Sequence, residues 1–83
     1  MSDRRTIDDL KRLGANRPAP DEIVRLYHEA FAEFGSIALW SSRELPQPSL
    51  GAALAITESL RVEGNFAARE IAERIESLCR AAL

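Results

Sequence analysis

The chain has 83 residues, 46% of them hydrophobic and 29% charged, which is enough for one folded domain and too apolar for a disordered chain. Its net charge is −2 and Lys11 is its single lysine, so a role resting on clustered basic charge against phosphates is disfavoured, except through a local patch on a dimer. One cysteine, Cys79, excludes an intramolecular disulfide, and no apolar run approaches the ~20 residues of a membrane span.

Residues 1–5 are polar and are expected to be flexible, and they lead into no apolar segment of the kind a secretory signal needs. Residues 6–83 are expected to form a single helical domain in the cytoplasm. Thr6 can cap a first helix over 7–13. Asp8 and Asp9 lie in its first turn, where the helix dipole favours acids, and Gly14 reads as its stop. A connector with Pro18 spans 15–19. Pro20, Asp21 and Glu22 then open a second helix over 20–34, with Gly35 as its stop. Ile23, Val24, Leu26, Tyr27, Ala30, Phe31 and Phe34 share its apolar face. Tyr27, Phe31 and Phe34 are three of the chain's five aromatic residues, so this helix supplies the largest core side chains.

The run Ile37-Ala38-Leu39-Trp40 is short enough to be a helical turn or a brief extended segment. The helical turn is favoured because every other element is helical. Pro46 and Pro48 make 41–48 a loop. Trp40, at the edge of that loop and near Arg43, has two readings: a plug for the end of a helix bundle, or an anchor for a partner.

Ser49 caps a third helix to Glu63, and Gly64 ends it. Leu50, Ala53, Leu54, Thr57 and Leu60 form one face. Ala52, Ala55, Ser59 and Val62 form a second, of small residues, on the opposite side. A helix apolar nearly all round is either central in a core or buried against a partner. Asn65 caps the last helix, in which Ala68, Ile71, Ala72, Ile75, Leu78, Cys79 and Ala82 make one stripe and charged residues occupy the back. The expected fold is all-α: a small bundle of about four helices ending in an antiparallel helical hairpin.

Chemistry-bearing residues are sparse. His28 is the one histidine, and no carboxylate or nucleophile is marked as its neighbour, so it reads as a boundary residue. Cys79 lies within the apolar stripe, where a thiol is structural. The sequence has no metal-ligand spacing and no glycine-rich phosphate loop. No catalytic, cofactor or metal site is therefore expected, and no small-molecule substrate.

The turn Gly64-Asn65-Phe66 resembles the turn inside a tetratricopeptide repeat. The positions that family fills with small or apolar residues are here Arg69, Glu73 and Glu76, so that resemblance fails. A second resemblance rests on Ile37-Ala38-Leu39-Trp40, on Pro48 with the Ser49 cap, on Ala53 to Leu60, on Arg61-Val62-Glu63-Gly64 and on the run from Ala67 to Glu76. Over roughly half of the chain these segments resemble small proteobacterial helical proteins, some encoded beside nucleotidyltransferase-like toxins. The resemblance implies an antitoxin-like or accessory partner and carries over no functional residue.

The expected function is thus non-enzymatic: binding a protein partner, or itself, through Trp40, Arg43, Ala52, Ala55, Ser59 and Val62. A competing arrangement folds helix 7–13 over the second face through Ile7, Leu10 and Leu13, which removes the need for a partner. A dimeric DNA-associated regulator is the alternative class, and an enzyme with an unrecognised site comes last.

Overall fold

The computed structural model describes residues 4–83; positions 1–3 of the stretch expected to be flexible lie outside the described residues. Four helices follow in order: α1 (Ile7–Gly14), α2 (Asp21–Phe34), α3 (Leu50–Glu63) and α4 (Phe66–Ala82). The all-α bundle and its closing α3–α4 hairpin agree with the sequence reading.

Local chemistry starts each helix. Thr6 and Asp9 form a reciprocal capping box, each side chain accepting from the other's backbone N–H at 3.1 Å. The Thr6 N–H, helped by Arg12, holds the Asp9 carboxyl below its ordinary value. Ser49 accepts from the Ala52 N–H and Asn65 from the Ala68 N–H, both at 3.0 Å. Pro20 precedes α2 in an extended conformation and offers no side-chain cap.

The apolar stripes meet in one core. Ile23, Leu26, Tyr27, Ala30 and Phe34 of α2 pack with Ala68, Ala72, Ile75 and Cys79 of α4, and with Leu50, Ala53, Leu54 and Leu60 of α3. Val24 and Phe31 of α2, and Ile71, Leu78 and Ala82 of α4, are half-buried at the stripe edges. Thr57, fully buried, donates its hydroxyl to the Leu54 carbonyl at 2.6 Å, so its polar atom enters the core satisfied. Arg61 grips Glu76 across the hairpin by two bonds of 2.8 Å. Both side chains lean toward their own helix N-termini and so toward each other in an antiparallel pair.

α1 crosses α3 at close range, and two glycines permit it. A Cβ on Gly51 would stand 2.8 Å from the Lys11 carbonyl oxygen, and one on Gly14 would stand 2.7 Å from the Leu50 Cβ. Neither glycine has positive φ, so backbone proximity, not turn geometry, selects them. Gly14, expected as a stop, is in fact the last residue of α1. Gly64 does end α3, in an extended conformation.

Two connectors are laced together beside this crossing. Ala19 N–H donates to the Pro48 carbonyl at 3.1 Å, and Leu50 N–H donates to the Arg17 carbonyl at 2.8 Å. The starts of α2 and α3 are thereby neighbours. Residues 37–40 form successive turns rather than an extended segment: the Phe34 carbonyl accepts from Ile37, Ala38 and Leu39. Arg5 and Arg80 exchange guanidinium-to-carbonyl bonds of 3.0 and 2.8 Å, which tie the entry to α1 to the end of α4.

Candidate functional site

The most exposed of the large apolar side chains lie near the C-terminal end of α3. Trp40 is 68% exposed, Val62 80% and Phe66 76%. All three lie toward the end of the bundle that holds the α3–α4 turn. Val62 and Phe66 flank the Gly64–Asn65 turn, and the Trp40 indole N–H donates to Glu63 at 3.1 Å.

The local backbone explains why a tryptophan stands outside. Successive side chains of the 35–40 turns point in different directions. Ala38 and Leu39 take the core, 1% and 2% exposed, which leaves Ile37 and Trp40 outward. Of the two readings of Trp40, the bundle plug is therefore excluded.

The second face expected on α3 is real but unevenly covered. Ala55 and Val62 are exposed, whereas Ala52 and Ser59 are half-buried. α1 lies against the flank of α3 rather than over this face. Leu10 is fully buried and Ile7 half-buried, but Leu13 remains 54% exposed. Lys11 reaches Glu58 at 3.1 Å, a bond that raises its pKa. Glu58, Ser59, Val62 and Glu63 line a shallow open depression on the outward side. Ile56 and Gly51, in neither expected face, both belong to the buried set.

Arg43 is exposed three residues after Trp40, and its backbone joins a loop contact. Its backbone carbonyl accepts from the Tyr27 hydroxyl at 3.3 Å, and that hydroxyl accepts from the Leu45 N–H at 2.9 Å. Arg43 thus belongs to a clasp holding the 41–48 loop on α2.

His28 completes the clasp and gains the carboxylate that the sequence did not reveal. Its Nδ1 is 2.6 Å from Glu44 Oε2 and its Nε2 is 3.3 Å from the Pro46 carbonyl oxygen. A general base needs a ring nitrogen turned toward a substrate. Both nitrogens here face loop oxygens, so the pair fastens a loop. Residues 28 and 44 are too far apart in sequence, across turns of unpredictable path, for spacing to have paired them.

Cys79 is fully buried, and burial pushes its thiol up to about 11, the reverse of what a reactive thiolate needs. Among the described residues no three His, Cys, Asp or Glu side chains converge as metal ligands. No described helix is long and apolar enough to cross a membrane.

No family model, no curated protein and no solved structure matches this chain.

Proposed function

We propose that this chain is a small non-enzymatic interaction protein, acting in the cytoplasm by presenting the α3–α4 turn end to a protein surface. One observation carries the reading: Trp40, Val62 and Phe66 all lie toward that end, each at least two-thirds exposed. Single exposed apolar residues are ordinary, but a cluster that includes the chain's only tryptophan is the composition of an interface anchor. Burying a side chain such as Val62 or Phe66 is worth about 1.5–3 kcal/mol, a gain this fold forgoes internally. An antitoxin-like or accessory role is one specific form of the same function.

Site-specific photocrosslinking tests the reading. A benzophenone side chain placed at Val62 or Phe66 is expected to give protein adducts in the source cells. The same group at Glu73, on the charged back of α4, is expected to give none. Adducts from neither turn position, or equal adducts from all three, would reject the proposal.

A further inference from the structure

We infer that the occupant of the turn end is a second copy of this chain, joined in a two-fold pair through Trp40, Val62 and Phe66. The inference rests on reading that end as an interface and adds the identity of what covers it.

An aromatic side chain buries 150–250 Å², so Trp40 and Phe66, exposed at 68% and 76%, leave roughly 300 Å² between them. Val62, at 80%, adds on the order of 100 Å². Two such patches face to face, fully covered, remove at most roughly 800 Å² of apolar surface from water. A specific interface buries about 1,200–2,000 Å² in total, a little over half of it non-polar, so its apolar share is about 700–1,100 Å². One patch per protomer thus reaches the lower end of what a specific pair needs.

Electrostatics set the orientation. An isologous contact sets the same patch against itself, which penalises a charged surface and costs an apolar one nothing. Glu58 and Glu63 are exposed beside Val62, so the two-fold contact keeps them at its wet rim, where Lys11 bonds Glu58 and the Trp40 indole N–H bonds Glu63. Net charge is only −2 per copy, so two copies repel weakly. The exposed back of α4, with Arg69, Glu70, Glu73 and Arg74, offers charge of both signs and no apolar anchor.

Sedimentation equilibrium decides, on the unmodified chain and on three variants: Val62→Glu, Phe66→Glu and Trp40→Ser. The unmodified chain is expected to dimerise at micromolar concentration. Each glutamate variant is expected to weaken association at least tenfold with unchanged helical circular dichroism. Trp40→Ser introduces no charge and is expected to weaken it as well, which guards against a glutamate variant that fails to fold. A monomer at all concentrations up to about 1 mM, or a dimer that survives all three substitutions, would overturn the inference. In either case, crosslinks from Phe66 to a different protein would leave the interface reading standing, and absence of any crosslink would remove both.

Discussion

The two ends of α3 spend apolar residues in opposite ways. At the N-terminal end Leu50 and Gly51 are buried against α1, Ser49 caps the helix, and the connectors around Arg17 and Pro48 are hydrogen-bonded to each other. Every feature there closes the structure on itself. At the C-terminal end Val62 is 80% exposed, and the Trp40 indole, itself mostly in water, donates one hydrogen bond to the exposed Glu63. Apolarity on a helix thus signals two things that composition alone does not separate. Small residues where backbones meet mark an internal crossing, and large residues beyond the last crossing stay in water, where the proposed association would use them.

Substitutions along α3 can break or sharpen that contrast. The largest effect is expected from Leu60→Ala. Leu60 is fully buried, so its loss leaves a cavity and should cost about 2–5 kcal/mol, read by urea or thermal unfolding. For a domain this small that is a large part of the whole stability. A cost under about 1 kcal/mol would mean that the C-terminal half of α3 is not anchored in the core.

Gly51→Ala comes next. The new methyl would lie 2.8 Å from the Lys11 carbonyl oxygen, which is backbone and moves only with α1. A destabilisation of about 1–3 kcal/mol is expected, despite the higher helix propensity of alanine. Stabilisation instead would show that α1 does not press on α3 so closely.

Glu76→Gln removes one charge of the paired Arg61–Glu76 bridge. Glu76 is only 14% exposed but Arg61 is 41% exposed, so solvent screens the pair, and a loss of about 1 kcal/mol is expected, shrinking in high salt. Smallest of all is Val62→Ser, measured at a concentration low enough to keep the chain dissociated. Its effect on the melt should stay below about 0.5 kcal/mol. Leu60 and Val62 are two residues apart, so the pair of values tests directly which side of α3 is inside.

The helices were legible in the sequence because their signals are local. Thr6, Ser49 and Asn65 cap as their types require, and the α4 stripe around Ile75 lies inside as its period demands. Ile56 was missed because it lies between the two faces that α3 shows on paper. It is buried because helices pack against α3 from more than one side. Gly14 reads as a stop and Gly51 carries no signal of its own, since a backbone contact between residues far apart leaves no periodic trace. The Tyr27–His28 clasp escaped for the same reason: its acceptors sit in a loop whose path is set only once α2 and α3 are in place. Trp40 was open to two readings because the sequence does not state which residues of a tight turn point inward.

The single tryptophan allows the most direct measurement of the central claim, that the turn end is a surface used for association. Trp40 emission and its quenching by acrylamide are followed as the protein is concentrated from nanomolar to near-millimolar. A water-exposed, readily quenched indole is expected in dilute solution, shifting to the blue and becoming protected as the chain associates. Emission already blue and protected in the most dilute sample would place Trp40 in the core. Emission that stays red and quenchable throughout would mean that the turn end is not where copies of this chain meet.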